Sequence, residues 1–122
     1  TLANTASFQS GLAHHECAWR AARLLVVQTF ADIEATVGGG ADLSPTMRAD
    51  LRAAAVYATD VSREVAQWAH LAAGTTAIRE GSRLERAFRD LFTGTQHAFI
   101  SQKVAIDAAQ VWLGLVDDPL GL

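Results

Sequence analysis

One cysteine, Cys17, stands in 122 residues. No disulfide can form within the chain, so its fold rests on its own core, and a reducing, cytoplasmic setting is the expectation. Proline occurs twice, at Pro45 and Pro119, and neither interrupts a helical pattern. Charged residues are sparse at 19%, with a net charge of -3. The chain lacks the positive excess of a nucleic-acid binder or of a segment that lies on an anionic membrane. Its longest strongly apolar run, Leu24 to Val27, falls far short of the roughly 18 residues of a membrane span. A basic stretch leading into an apolar one is missing too, so no secretory signal is expected in these residues. The chain opens at Thr1 rather than Met and reads as a fragment or processed product of something longer. Strand-like alternation is absent, as are internal repeats and low-complexity segments.

Helix formers fill the space these absences leave. Half of the residues are hydrophobic, enough for one packed domain, and apolar positions recur at steps of three and four. The first helix is expected over about 6–37, with an apolar stripe of Phe8, Leu12, His15, Trp19, Ala22, Val26, Phe30, Ile33 and Val37. Three glycines at 38–40 end it. Ser44 suits an N-cap and Pro45 the first helical position, which starts a second helix over 45–73 that Gly74 stops. Its stripe runs Met47, Leu51, Ala54, Ala58, Val61, Val65, Trp68 and Ala72. In "SRLE" at 82–85, Ser82 and Glu85 have the spacing of a capping box. A third helix follows over about 83–98, and a shorter fourth over 101–113 carries Val104, Ile106, Ala109, Trp112 and Leu113. "LVDDPLGL" closes the chain as a tail. The class is therefore all-α, an up-down bundle of three to four helices. Apolar residues outside the stripes, among them Leu24, Leu25, Val27 and Tyr57, imply further burial against another domain or subunit.

Three clusters can carry chemistry. His14, His15 and Cys17 sit together in "HHEC", but a structural zinc site needs four ligands and no second Cys/His pair exists. A half-buried histidine pair beside a packed thiol is the expectation, with no metal. No Glu is followed three residues later by His, which removes the di-iron bundles. Arg79, Arg83, Arg86 and Arg89 share one side of the third helix start. They form either a solvated face with Glu85–Arg89 and Arg86–Asp90 pairs or an anion site. The third cluster is "RDLFTGTQH" at 89–97. Gly94 costs a helix interior about 1 kcal/mol against Ala, so close approach of another group or a local break is expected there. His97 beside Gln96 can donate a hydrogen bond or move a proton near neutral pH. The glycines at 38–40 lack the Lys-Ser/Thr of a phosphate-binding loop, and no Ser/His/Asp or Cys/His set is supported.

Residues 72–114 carry a resemblance. Ala-Gly followed by small residues, the Ser-x-Leu-x-Arg-x-x-Arg-Asp helix start, Gln96-His97 and a closing Leu-Gly resemble the C-terminal helical domain of the acyl-CoA dehydrogenase superfamily. The likeness is narrowest to its type-2 branch, which includes flavin-dependent monooxygenases of the 4-hydroxyphenylacetate and dibenzothiophene hydroxylase kind. Such proteins have an N-terminal helical domain and a central β domain ahead of a four-helix bundle, and they assemble through the bundles. The resemblance therefore implies a partial bundle, with its first helix and two earlier domains elsewhere. It also implies flavin, FMN or FAD, in the full-length protein, self-association as dimer or tetramer, and a small-molecule substrate. True acyl-CoA dehydrogenases carry a catalytic Glu shortly after the Arg-Asp pair, whereas no Glu follows Arg89 here. His97 stands roughly in that place. In the monooxygenase-like branch this His lies near the flavin ring and helps position or protonate an oxygenated intermediate, so the resemblance makes His97 the catalytic candidate. Gly74 and Thr75 are similar to the family's Gly-Gly-Asn-Gly turn, which reaches the phosphate or ribose part of the flavin from a neighbouring subunit. With Arg89, Gln96 and His70 they complete the cofactor-binding set. The alternatives are a true dehydrogenase acting on CH-CH groups and a non-catalytic oligomerisation module.

Overall fold

A computed structural model describes residues 1–117; part of the expected tail, 118–122, lies outside them. The described residues contain four α-helices and no strand: α1, Ala6–Gly38; α2, Pro45–Ala73; α3, Arg83–Gly94; and α4, Gln102–Trp112. Short 3-10 turns occupy Leu2–Asn4, Gly74–Thr76 and Ala98–Ile100.

Local chemistry sets the joints. At the end of α1, the Gly40 N–H donates to the Val37 carbonyl and the Ala41 N–H to that of Thr36. This pair of bonds closes the last turn only because Gly40 takes φ +81°. The Ser44 hydroxyl then accepts from the Met47 N–H at 3.2 Å, with Pro45 at the first position of α2. Ser82 makes no such side-chain bond at the head of α3. The capping box does not form, because Glu85 turns forward to Arg89 instead, at 3.4 Å. The third helix also stops at Gly94 rather than near 98. Threonine hydroxyls take its terminal carbonyls, Thr93 from Arg89 and Thr95 from Phe92, and the His97 ring accepts the Phe99 N–H to cap the next 3-10 turn. Side chains that bond locally compete with helix continuation.

α2 is the hub. α1, α3 and α4 each pack on it, and no other two of these four helices approach each other closely. A helix surrounded on three sides buries on several faces: Ala49, Arg52, Ala54, Val56 and Val61 are all covered. Beyond Pro45 at its start, the exposed positions of α2 fall on one line, Thr46, Asp50, Tyr57, Asp60, Glu64, Gln67 and Leu71. Elsewhere among the described residues, Ala22, Ala77 and Ala108 join the buried apolar set. No large side chain among the described residues is fully enclosed, since each peripheral helix is covered from one side.

The seam between α1 and α2 is rotated from the expected stripe. Leu12, Trp19, Phe30 and Val37 are exposed, while Gly11, Ala18, Thr29 and Thr36 sit partly covered at the seam beside Ala22. Small residues let the two helices close up, which turns the bulky ones onto a flank. Gly11 shows why. A Cβ there would stand 2.7 Å from the Trp68 indole nitrogen, so the indole lies directly on the α1 backbone. It stacks on Phe8 at 5.4 Å and on His15 at 4.6 Å between ring centroids. α4 is rotated likewise: Ile106, Trp112 and Leu113 are exposed, and Ala108 is its buried contact.

Candidate functional site

α3 runs antiparallel to α2. His70, near the end of α2, stacks on Phe88 at 4.4 Å, and Phe88 stacks on Phe92 at the same separation. Further along, Ala58, Thr59 and Ser62 of α2 face Asp90, Leu91, Gly94 and Thr95 across an open cleft of about 370 Å³. Four of the six sequence-predicted site residues thus occupy two ends. Gly74 and Thr75 stand before α3 and Gln96 and His97 after it, and twelve residues of helix span about 18 Å. Arg89 and His70 lie between them.

Gly74 closes α2 with φ 58° and ψ −139°, a conformation left to glycine. Its carbonyl accepts the Ala77 N–H at 3.1 Å, and Ala77 is fully buried. Thr75 is exposed beside it. Arg89 is exposed and held by Glu85. The other expected pair is not made, since Arg86 and Asp90 do not come within ion-pair distance. The Gln96 amide reaches the Phe92 carbonyl at 3.5 Å. At His97, Nδ1 accepts the Phe99 N–H at 3.2 Å. A nitrogen that accepts carries no proton, so the neutral ring holds its proton on Nε2 as a donor on an exposed side chain. Gly94 has open space where a Cβ would stand. Nothing among the described residues requires a glycine there.

The histidine cluster of α1 resolves differently. His15 Nδ1 donates to the Gly11 carbonyl at 2.7 Å, and Nε2 of His14 and of His15 lie 3.9 and 4.0 Å from one Glu64 oxygen. Cys17 is exposed rather than packed, because it points away from the rotated seam. No group of three His, Cys, Asp or Glu among the described residues is placed to hold a metal ion, and no described helix is long and apolar enough to cross a membrane.

Two features escaped the sequence. One is the Trp68 seat on Gly11. The other is a bond between the Trp112 indole and Asp50 at 2.8 Å, which joins α4 to α2 across 62 positions. Only the tertiary pairing of the helices creates either.

The family described as acyl-CoA dehydrogenase, C-terminal domain, matches residues 1–102. The chain belongs to this family. The match takes in α1, α2 and α3 and ends as α4 begins, so the long helices are as much part of the family pattern as the Arg89–His97 segment. No curated protein matches the sequence. Full-length members of the acyl-CoA dehydrogenase family use flavin. An imidazole N–H, a guanidinium and an amide are donors suited to a flavin's phosphate and its ring carbonyls, whereas the Gly74 N–H is already given to the Leu71 carbonyl. Of the six residues only His70 is even half-buried, so these donors would meet a flavin as one open wall rather than enclose it.

Proposed function

We propose that this domain is the C-terminal bundle of a flavin-dependent oxidoreductase of monooxygenase-like type, lining the flavin site and joining subunits. The observation that carries this reading is the family match over 1–102 in a chain with no Glu after Glu85. Proton abstraction from an acyl thioester needs a carboxylate base near His97's place. The carboxylates that follow Arg89 among the described residues are Asp90, Asp107 and Asp117. Asp107 is engaged by Lys103 at 2.7 Å, and Asp90 faces the cleft under α3.

In this reading His97 Nε2–H would be the hydrogen-bond and proton donor toward a bound flavin, and the Phe99 N–H holds the imidazole in that tautomer. Gln96 adds a second donor. Gly74 and Thr75 would hold the phosphate or ribose part of a flavin belonging to another subunit. A separation of about 18 Å along α3 suits residues that serve two different sites. The flavin, FMN or FAD, supplies the redox chemistry when bound. A single exposed thiol at Cys17 agrees with a cytoplasmic, reducing setting.

The test is His97→Ala in the protein with its N-terminal helical and β domains. The expected result is intact flavin binding with oxidation of reduced flavin uncoupled from product. A roughly 100-fold loss of product formation is in the range of one general acid–base residue. Unchanged turnover and coupling would remove His97 from the mechanism. The 122-residue chain alone is expected neither to hold flavin tightly nor to turn over, and stoichiometric co-purified flavin would contradict this. A second reading, a non-catalytic oligomerisation module, draws on the exposed apolar residues of α1. It would be favoured if the gene encoded no β domain ahead of Thr1.

A further inference from the structure

We propose that the groove between α1, α2 and α4 binds an organic cation, a guanidinium or alkylammonium group. The groove is separate from the flavin-site candidates, and its α4 wall lies beyond the family match. It has a volume of about 440 Å³, within the roughly 300–1,000 Å³ range of small-ligand clefts. Two aromatic side chains line it, Tyr57 from α2 and Trp112 from α4, with Leu25 of α1 and the small residue Ala53 completing an apolar surface. Two carboxylates line it as well, Asp32 from α1 and Asp50 from α2.

Among the described residues no cation meets the charge of these carboxylates. The hydrogen bond each receives comes from a neutral donor: the Gln28 amide to Asp32 Oδ1 at 2.8 Å, and the Trp112 indole to Asp50 Oδ1 at 2.8 Å. No Lys or Arg among the described residues forms an ion pair with either. Both rings stay about half exposed, Tyr57 at 48% and Trp112 at 55%, although they stand over a groove. Two negative charges beside two aromatic rings and an alkyl surface select a positive group with an apolar stem. The rings attract the cation, the carboxylates neutralise it, and the stem covers Leu25. An anion is repelled, and a neutral ligand forfeits both attractions.

The test follows the Trp112 indole N–H resonance by NMR in the 122-residue chain, assigned through its loss in Trp112→Phe. n-Butylguanidinium chloride is expected to shift it saturably. n-Butylurea, the neutral isostere, and sodium chloride at matched ionic strength are not. Asp32→Asn and Asp50→Asn keep the shape of the groove and are each expected to weaken binding about fivefold, as loss of one partly exposed charge partner should. Asp32 is bonded to Gln28 and the Trp112 indole to Asp50, so the Asp32 variant separates charge loss from loss of the indole bond. The proposal is overturned by a non-saturating shift, by equal binding of the urea, or by Asn variants that bind as the parent does. A blocked Ala-Arg-Ala peptide tells the sources apart. Tighter binding than butylguanidinium assigns the cation to a protein side chain, and weaker binding assigns it to a free ligand; both outcomes keep the proposed chemistry.

Discussion

Gly11 is worth more to this fold than its helix propensity suggests. Replacing a mid-helix glycine with alanine ordinarily stabilises by about 1 kcal/mol. Here the added methyl would meet the Trp68 indole at 2.7 to 3.1 Å, and overpacking of that kind costs about 1–3 kcal/mol. Gly11→Ala is therefore expected to lower the urea midpoint. In a Trp68→Leu background the same change should turn neutral or stabilising. A stabilising effect in the parent chain would show that the indole moves aside freely. None of this was legible from the sequence, where Leu12 is the better apolar residue and Gly11 looks like a flaw. His97 is a similar case. Its chemical type can be read from the sequence, but the tautomer depends on a Phe99 N–H that becomes available only because the helix stops three residues earlier.

Helix ends were legible where one short-range rule acts without a rival. Ser44 followed by Pro45 caps α2, because both preferences act within a few residues and nothing nearby competes. Ser82 with Glu85 has the same credentials on paper, but Arg89 one turn on draws the Glu85 carboxylate away. The difference can be measured. Ser44→Ala should cost about 1 kcal/mol of unfolding free energy, the usual value of an N-cap hydroxyl. Ser82→Ala should cost only a few tenths, since its side chain makes no cap bond. Equal losses would mean that the Ser82 cap forms in solution. The all-helical class followed from periodicity, and the rotational register of α1 did not. Periodicity places apolar residues on a broad arc, whereas the seam follows the small residues that allow close approach. That is why Leu12, Trp19, Phe30 and Val37 lie on the flank instead of in the seam.

At the scale of the whole molecule, one hub with three peripheral helices leaves apolar surface that the chain itself does not cover. Leu12, Trp19, Phe30 and Val37 form one line along α1, and Val65 and Trp68 of α2 border its first half. Leu51 borders its second half, beside Phe30. A contiguous apolar flank of this length is rare on a chain that works as a monomer. Apolar burial is worth about 25 cal/mol per Å², so even partial coverage by a second helix is favourable. The 13.0 kDa chain is accordingly expected to self-associate in sedimentation velocity as its concentration rises. Phe30→Glu should shift the distribution toward monomer. Because Phe30 is already half exposed, at 50%, the thermal midpoint measured at low concentration should change little. Leu24→Glu, on the opposite side of α1, controls for added charge: it should leave the distribution unchanged if the flank is the contact. A wild-type chain that stays monomeric throughout the series would mean that the flank is covered only by other domains of the parent protein.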